Sequence, residues 1–400
     1  MRATVAPRVG LLHNGGPMPP CSSVLLALLA PLAGQLDPPG QDWPLFRGDP
    51  ALKGVAGGTL APAPVLRWSF QAAKAIVSSP VVSGGLLVIG CDDGNVYCLD
   101  ARSGEKRWTF ATEDVIEAPP LIHAGSVYVG SSNGFFYALE LERGTLRWKQ
   151  ATEDKILGGA NWCDAGGEVR IVVGSYDSNL YCFAAQDGAV RWKYGTGNYV
   201  NGTPAVDGGR IVFGGCDSCL HVVSAADGAG LARLELGDDA HVAGSVALSD
   251  GRVYLGHYGN AFVCADLARS ELVWSFPDEK HAFFSSPAIA DERVVFGGRN
   301  KQLHCVRQAD GELLWKFATR RKVDGSPVIV GDAVVFAAGD GRIHVLALSD
   351  GSERWSAELG SEIGGSVALA GGWIYAAGLD GRIVAYGPPP APRAAAGGDG

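Results

Sequence analysis

Short apolar stretches alternate with turn-forming residues through most of the chain. In the first complete unit, residues 79–82, 86–90, 95–99 and 106–110 are rich in apolar and aromatic residues and are bounded by Gly, Pro, Asn or Asp. Such runs, separated by turn residues, are typical of strands rather than helices. The pattern therefore predicts a repeating unit of four short antiparallel strands, which we label A to D.

A two-residue turn signal separates strands B and C in every unit. Asp-Gly and Asn-Gly pairs favour the positive φ that tight hairpins require. The chain carries eight such positions: Asp93-Gly94, Asn133-Gly134, Asp177-Ser178, Asp217-Ser218, Gly259-Asn260, Asn300-Lys301, Asp340-Gly341 and Asp380-Gly381. They recur about every 40 residues, the period of four-stranded propeller blades. The sequence thus predicts an all-β fold, an eight-bladed β-propeller of four-stranded antiparallel blades.

A tryptophan in strand D recurs at the same interval. The ladder consists of Trp68, Trp108, Trp148, Trp192, Trp274, Trp315 and Trp355, with Ala232 in the one position that lacks it. A large aromatic side chain at one position in successive blades fills the wedge between neighbouring sheets, so we interpret the ladder as structural. Trp68 precedes the first complete blade, whereas the last blade ends after strand C. Residues 65–70 are therefore predicted to complete the last blade and close the ring.

Three of the eight histidines and four of the nine cysteines fall at repeated framework positions. One strand C column holds His221, His304 and His344 where other blades carry Tyr or Val, which favours a structural role. Four cysteines in the neighbouring column lie on different blades, about 10 Å or more apart, too far for a disulfide. These predicted free thiols are Cys98, Cys182, Cys264 and Cys305. Cys216 and Cys219 flank a hairpin turn, where either a strained cross-strand disulfide or two thiols would fit.

The two ends of the chain differ from the repeats. A short apolar run, 24–34, has the length of a signal-peptide core and is too short to span a bilayer. We predict a signal peptide over 1–36, a lead-in segment over 37–64, the propeller over 65–387 and a disordered tail over 388–400. This organisation predicts export to the periplasm or the extracellular space, and the alternative is a cytoplasmic chain with an unstructured leader.

The charge balance narrows the classes of partner. The 400 residues include 33 Lys and Arg against 42 Asp and Glu, a net charge of −9. Nucleic acids and anionic membranes require clustered positive charge, so neither is expected as a general partner. The 57 glycines and 22 prolines agree with a turn-rich fold.

The blades differ most where strand A begins and just before each B–C turn. In a propeller these positions open on one face around the central channel, which we call the funnel face. We predict a ligand-binding site on this face, mostly from blades 3 to 7: Asn161, Trp162, Tyr176, Tyr199, Asn201, His241, His257, Tyr258, Phe284, Arg299, Lys322 and Asp324. Aromatic platforms with a few charges suit a small-molecule or peptide site. Ordinary solvated loop residues would produce the same polarity, and that alternative stays open.

Catalytic signatures are absent from the sequence. It contains no phosphate loop, nucleophile elbow, zinc motif or c-type haem attachment site. His241, His257 and His281 come from two adjacent blades, but no pair has metal-ligand spacing. We therefore predict no catalytic residue and no metal ligand.

The repeat resembles that of pyrroloquinoline-quinone (PQQ)-type β-propellers over residues 65–387. The similarity lies in Ser-Pro-Val at the start of a blade and in Asp-Gly or Ser-Gly followed by a strand containing Trp. The lead-in sequence Trp43-Pro44-Leu45-Phe46-Arg47-Gly48 is similar to the segment before the ring in exported bacterial members. The resemblance implies one of two functions, since some members are quinone-dependent alcohol or sugar dehydrogenases. Others are non-catalytic, such as the scaffold lipoprotein of the outer-membrane β-barrel assembly machinery.

The chain departs from the enzymes of that family. It has no adjacent Cys-Cys pair, and its short repeats leave no room for the insertions that build the calcium and substrate site. Glu117, Asn201 and Asp324 are oxygen ligands of the kind needed, but they belong to blades 2, 4 and 7.

We therefore expect a non-catalytic exported module, without a cofactor, that binds a protein, peptide or glycan at the funnel face. It would act as a monomer or as part of an envelope assembly. The alternative is a minimal quinoprotein oxidoreductase that uses PQQ with Ca²⁺.

Overall fold

The computed structural model describes residues 42–390, and every regular element within them is a β-strand. No helix able to span a membrane occurs in that range. The predicted signal peptide, the first residues of the lead-in and positions 391–400 of the predicted tail lie outside the described residues.

The strands are short and are separated by tight turns. Their bounds are β1 Val55–Ala56, β2 Val65–Gln71, β3 Val81–Ser83, β4 Leu86–Gly90, β5 Asn95–Asp100, β6 Lys106–Ala111, β7 Leu121–His123, β8 Ser126–Gly130, β9 Phe135–Glu140, β10 Leu146–Ala151, β11 Asn161–Asp164, β12 Val169–Gly174, β13 Asn179–Ala184, β14 Val190–Gly195, β15 Ala205–Asp207, β16 Arg210–Gly214, β17 Cys219–Ser224, β18 Gly230–Glu235, β19 Ala247–Ser249, β20 Arg252–His257, β21 Ala261–Asp266, β22 Glu271–Pro277, β23 Ala288–Ala290, β24 Arg293–Gly298, β25 Gln302–Arg307, β26 Leu313–Ala318, β27 Val328–Val330, β28 Ala333–Ala337, β29 Arg342–Ala347, β30 Glu353–Glu358, β31 Ala368–Ala370, β32 Trp373–Ala377 and β33 Arg382–Gly387.

These strands form eight antiparallel blades, which confirms the predicted fold class. Blade 1 is β3–β6, and each following set of four strands makes the next blade, up to β27–β30 in blade 7. Blade 8 contains β31, β32 and β33, and its fourth strand is β2 from the N-terminal side of the ring. The β2–β33 register runs from Val65 opposite Gly387 to Gln71 opposite Arg382. The predicted closure of the ring is therefore present.

Six of the seven ladder tryptophans join one blade to the next through a hydrogen bond. The Nε1 of Trp68 in blade 8 donates a hydrogen bond to the Ala101 carbonyl of blade 1 at 3.0 Å. Five other blades repeat this bond, from Trp108 to Leu141, Trp148 to Ala185, Trp192 to Ala225, Trp274 to Gln308 and Trp315 to Leu348. The six rings that bond this way are nine-tenths or more buried, so each one both fills the wedge and satisfies its polar atom there.

A glycine in the receiving blade makes room for each of these rings. Gly104 has a φ of 75°, and a Cβ there would lie within 2.6 Å of the Trp68 ring. Where the tryptophan is missing, the glycine that would accommodate it is missing too. Blade 4 carries Ala232 in place of Trp, and the matching turn of blade 5 carries Ser270 at a φ of 54°. Without an indole to accommodate, that position no longer requires glycine.

The histidines of the strand C column are framework residues, as predicted. In blade 1 the Tyr97 hydroxyl donates to Asp93 of the preceding hairpin at 2.6 Å. His221 makes the equivalent contact to Asp217 at 3.0 Å, and His304 contacts Asn300 at 3.3 Å. Tyr97, His221 and His304 therefore fasten strand C to its own turn, whereas His344 contacts Glu353 of β30 at 2.7 Å.

Every cysteine in the described part of the chain is unpaired. The four predicted thiols Cys98, Cys182, Cys264 and Cys305 are all buried. Cys216 and Cys219 are also free, so the disulfide alternative for that hairpin is wrong for this structure.

Loss of the closing indole should weaken the whole ring. Trp68→Ala removes a buried aromatic and its hydrogen bond, and we expect a loss of about 3–5 kcal/mol in the free energy of unfolding. Leu66 on the same strand is 54% exposed, so Leu66→Ala should cost no more than about 0.5 kcal/mol. Urea unfolding followed by tryptophan fluorescence and circular dichroism measures both. Equal losses in the two variants would contradict this role of Trp68.

The buried His304 should make stability depend on pH. Burial lowers its pKa from the ordinary value to about 4. The unfolded chain then binds a proton between about pH 6.5 and 4 that the folded chain does not, so the free energy of unfolding falls as pH drops through that window. His304→Tyr, which installs the residue used in blades 1 to 3, should reduce this fall by about 2–3 kcal/mol. His281 is exposed, so His281→Tyr is the control, and an unchanged pH slope in the His304 variant would refute the assignment.

Candidate functional site

The lead-in segment closes one end of the central channel. It runs round the inside of the ring, and its carbonyl groups accept hydrogen bonds from the strand A backbone of successive blades. The bonds are Ile122 to Pro44, Val206 to Pro50, Leu248 to Ala51, Ile289 to Lys53 and Ile329 to Gly54, at 2.7 to 2.9 Å. Trp43 bridges to Val82 in blade 1, and β1 adds a parallel fifth strand to β27 in blade 7. This path was not predicted from the sequence.

Arg47 fixes the lead-in at the centre of the ring. Its side chain is buried, and Nη2 donates to the carbonyls of Pro287 at 2.7 Å and Pro327 at 2.5 Å. Burial lowers the pKa of Arg47 to about 9, partly opposed by the charge of Asp49. A Cβ on Gly54 would overlap the guanidinium, so this arginine requires glycine beside it. The only sequence signal for its role was an arginine set in an otherwise apolar hexapeptide.

The lead-in segment forms the floor of the channel, and above it lies a cavity of about 320 Å³ that opens on the funnel face. Phe46 of the lead-in lines its base. One residue from each blade lines its wall, and all eight belong to the strand A column that the sequence predicted to face the channel mouth: Val77, Glu117, Leu157, Asn201, Ala243, Phe284, Asp324 and Gly364.

The lower wall of the cavity is a belt of small residues joined by hydrogen bonds. From blade 4 round to blade 1, a backbone N–H of one blade donates to a serine hydroxyl of the next, at 2.8 to 3.0 Å. The pairs are Thr203 to Ser245, Ser245 to Ser286, Ser286 to Ser326, Ser326 to Ser366 and Ser366 to Ser79. Each hydroxyl retains its own proton and a lone pair, so the belt presents polar groups to the cavity.

Two aromatic groups stand at the rim above this wall. In blades 3 and 4, the rings of Tyr176 and Tyr199 stack at 4.7 Å, and the Lys155 ammonium lies 4.7 Å from the Tyr176 ring centre. The Tyr176 hydroxyl donates to Asn201 Oδ1 at 3.1 Å. Burial, followed by acidic neighbours that include Cys216 and Glu117, raises the pKa of Tyr176 to about 12. Tyr176 therefore stays a neutral hydrogen-bond donor.

The second group spans blades 5 to 7. The Tyr258 and Phe284 rings lie 4.3 Å apart, and the Arg299 guanidinium lies 3.8 Å above Phe284. Arg299 bonds both carboxylate oxygens of Asp324 at 3.2 Å, and Lys322 contacts the same carboxylate at 2.8 Å. Asp324 is thus neutralised by two cations, and it orients the guanidinium on the ring.

His241 lies between the two groups. Its ring is 6.3 Å from Tyr258, edge to face, and its Nδ1 contacts the Cys216 carbonyl. We call the continuous set the funnel arc: Tyr176, Tyr199, Asn201, His241, Tyr258, Phe284, Arg299, Lys322 and Asp324.

Three of the sequence-predicted residues lie elsewhere. Asn161 is buried, and its Nδ2 donates to Pro50 of the lead-in at 2.8 Å and to Pro204 at 2.9 Å. Trp162 is half-buried and stacks on His123 at 4.2 Å. His257, at the end of β20, is buried without a partner for Nδ1, and burial lowers its pKa. Their polarity suggested a ligand site, but the structure uses Asn161 to hold the lead-in.

The opposite side of the mouth, in blades 1 and 2, is acidic. Glu117 is half-buried in the cavity wall, and burial together with the like charge of Asp92 raises its pKa, while Lys155 opposes the rise. Asp92 has a buried Oδ1 with no hydrogen-bond partner in the described structure, and its pKa is raised by burial. Asp92 was absent from the predicted set because acidic loop residues are usually solvated.

The lining does not fit a quinone held by calcium. Within residues 42–390, no group of three or more His, Cys, Asp or Glu side chains could hold a metal ion. The Asp324 carboxylate is already occupied by two cations and Asn201 by Tyr176. The cavity lining contains no Lys or Arg, whereas PQQ is a tricarboxylate that needs positive partners.

Comparison with known proteins identifies related chains. A family profile described as outer membrane protein assembly factor BamB matches residues 65–160, 137–231 and 216–389. BamB from Moraxella catarrhalis is similar in structure, with a TM-score of 0.69 and 18% identity, over 81% of this chain and 99% of that one. Quinohemoprotein alcohol dehydrogenase from Comamonas testosteroni has a TM-score of 0.76 and 12% identity, over 88% of this chain and 82% of its own. A search of curated proteins found no match. Identities this low establish a shared fold alone.

Removal of the Arg47 side chain should release the floor of the cavity. Arg47→Ala leaves the Pro287 and Pro327 carbonyls without a donor, and we expect a loss of about 2–4 kcal/mol in the free energy of unfolding, with new protease cleavage between residues 42 and 58. Lys53→Ala is the matched control, because Lys53 accepts the bond from Ile289 through its backbone carbonyl. Limited proteolysis followed by mass spectrometry checks both. A lead-in equally resistant in the two variants would show that the backbone bonds alone hold it.

Proposed function

Because the chain belongs to the family of the outer membrane protein assembly factor BamB, we propose that it is a non-catalytic scaffold of the bacterial cell envelope that binds a protein partner through the funnel arc. The proposal includes export to the periplasm, where the family's named role would be carried out. It also includes action as a monomer within a larger envelope assembly.

The observation that carries this proposal is the concentration of exposed aromatic and charged groups in one sector of the mouth. Tyr199 is 45% exposed and Tyr258 is 48% exposed, although each ring is held by a stacking neighbour. Tyrosine and arginine are the residues that most often dominate the energy of protein interfaces. Side chains that are already ordered lose little conformational entropy on binding. The funnel arc has both properties.

A protein ligand is favoured over a glycan. Aromatic platforms also bind sugars, but the paired Arg299 and Asp324 and the adjacent Lys322 offer charges that a neutral glycan does not match. A chain segment with charged and apolar side chains would engage both parts of the funnel arc.

The quinoprotein alternative rests on the fold shared with the quinohemoprotein alcohol dehydrogenases. The cavity lining does not fit the quinone, so no oxidoreductase reaction is assigned to this cavity.

Partner capture should depend on the funnel arc. Replacing Tyr199, Tyr258 and Arg299 together by alanine should abolish capture of the partner from detergent-solubilised envelopes, because the two exposed rings and the ordered guanidinium are lost. A photo-crosslinking residue at position 258 should trap a component of outer-membrane protein assembly, identified by mass spectrometry. The same residue at position 313, exposed on the outer strand β26, is the control and should trap little.

Two outcomes would contradict the proposal. One is a funnel arc that makes no difference, seen as equal crosslinking from positions 258 and 313 or as undiminished capture by the triple variant. The other is saturable binding of PQQ in the presence of Ca²⁺ with dye reduction by the purified protein, which would favour the oxidoreductase.

A further inference from the structure

Glu117 is the one lining carboxylate of the cavity whose charge has no ion-pair partner in the described structure. Glu117 lies in the loop between β6 and β7 and lines the cavity wall. It is half-buried and makes no hydrogen bond or ion pair with any of residues 42–390. Asp324, the other carboxylate of the lining, is neutralised by Arg299 and Lys322. The two acidic groups are therefore not equivalent, because only Glu117 keeps an unbalanced charge.

Asp92 adds to the negative potential beside Glu117. It lies on the neighbouring blade, its Oδ1 is shielded from solvent without a hydrogen-bond donor, and its charge acts on Glu117 directly. The positive group that also acts on Glu117 is Lys155, whose ammonium lies over the Tyr176 ring, and no ion pair forms between Lys155 and Glu117. Two adjacent half-buried carboxylates without a bound cation are costly to maintain as ions. A ligand that carried positive charge would offset that cost.

The rest of the lining also suits a cation. The aromatic side chains of Tyr176, Phe284 and Phe46 line the cavity. Each ring already has a cation of this chain near its face, Lys155 at 4.7 Å, Arg299 at 3.8 Å and Arg47 at 5.9 Å, so cations pack against aromatic rings around this cavity. The serine belt offers hydroxyl oxygens near the floor. No Lys or Arg side chain belongs to the lining itself, and of the cations at the mouth, Arg299 and Lys322 are paired with Asp324.

We propose that the cavity is a specificity pocket for one basic side chain, arginine or lysine, of the protein partner, with Glu117 as its counter-ion and Asp92 as the supporting charge. This inference rests on the proposed function, and it specifies the chemistry of the segment that the partner presents. The partner segment lies across the funnel arc and inserts the basic side chain towards Phe46.

The shape of the mouth favours a side chain over a free cation. A cavity of about 320 Å³ accommodates a long side chain, and two of its lining residues, Tyr176 and Phe284, contact the exposed rings of Tyr199 and Tyr258. Residues that flank the basic side chain would contact these rings. A small free cation would leave both rings without a role.

The experiment compares charged and neutral versions of one peptide. The probes are a blocked Gly-Ser-Arg-Ser-Gly peptide and its citrulline analogue, which has almost the same shape without the charge. Saturation-transfer NMR on the purified protein should show at least about tenfold tighter binding of the arginine peptide, the effect expected of a charge-assisted hydrogen bond. Glu117→Gln should bring the two affinities within about twofold.

Glu113→Gln is the matched control. Glu113 lies four positions earlier in the same loop and is exposed, so this variant removes one negative charge without changing the cavity and should retain the preference for arginine. Asp92→Asn provides a second variant, in which the preference should fall in part. Both keep the inference testable if Glu117→Gln fails to fold.

Three results would overturn the inference. They are equal affinity of the two peptides for the native protein, no binding of either peptide at about 1 mM, or loss of the preference in the Glu113 variant. Binding of arginine amide as tight as that of the whole peptide would overturn the assignment to a partner segment. If crosslinking from position 258 persists in any of these cases, the scaffold function stands without this pocket. Loss of that crosslink with the arginine preference intact would refute the scaffold function instead.

Discussion

The structure depends on the pairing of β2 with β33. A propeller blade buries both faces against its neighbours, so an open ring would leave two blades with an uncovered face and one blade with a missing strand. The pairing of β2 with β33 removes that defect, and Trp68 on the closing strand reaches into blade 1. The β2–β33 pairs join residues that are more than 300 positions apart in the chain. Their formation therefore carries a larger loop-closure entropy cost than the hairpin contacts within a blade.

The lead-in adds a second constraint of the same kind. Its carbonyls bond to strand A of most blades, and Arg47 ties it to blades 6 and 7 through the Pro287 and Pro327 carbonyls. A buried guanidinium with two unpartnered nitrogens is expensive in isolation. It is tolerated here because the segment closes the channel and turns it into a cavity with one mouth. The ligand site proposed above exists only because of this floor.

Local turn chemistry made the fold predictable, and long-range contacts limited what could be predicted of the site. The hairpin pairs and the tryptophan ladder act within one blade or between neighbours, and both were visible as repeats. The contacts of Asn161 with Pro50 and of Arg47 with Pro287 join distant parts of the chain and occur once. No repeat in the sequence therefore indicates them. Asn161 and His257 were predicted as ligand residues because they belong to the blades in which aromatic and hydrogen-bonding residues concentrate. Ser270 departs from the repeat for a reason that the sequence does show. The glycine of this turn makes room for an indole, and position 232 carries alanine instead.

One backbone hydrogen bond at the mouth recurs in all eight blades, which leaves specificity to the side chains. In each blade the residue before the B–C turn donates its N–H to the carbonyl at the start of strand A, as Asp92 does to Ala75 and Arg299 to Ala282. Because these backbone groups are satisfied uniformly, they cannot distinguish one ligand from another. The asymmetry arises from side-chain charge: Asp324 is paired, and Glu117 is not. A ligand that meets the ordered rings of blades 3 to 7 therefore also meets an unbalanced negative charge across the mouth, and that combination favours a basic protein segment over an anionic cofactor.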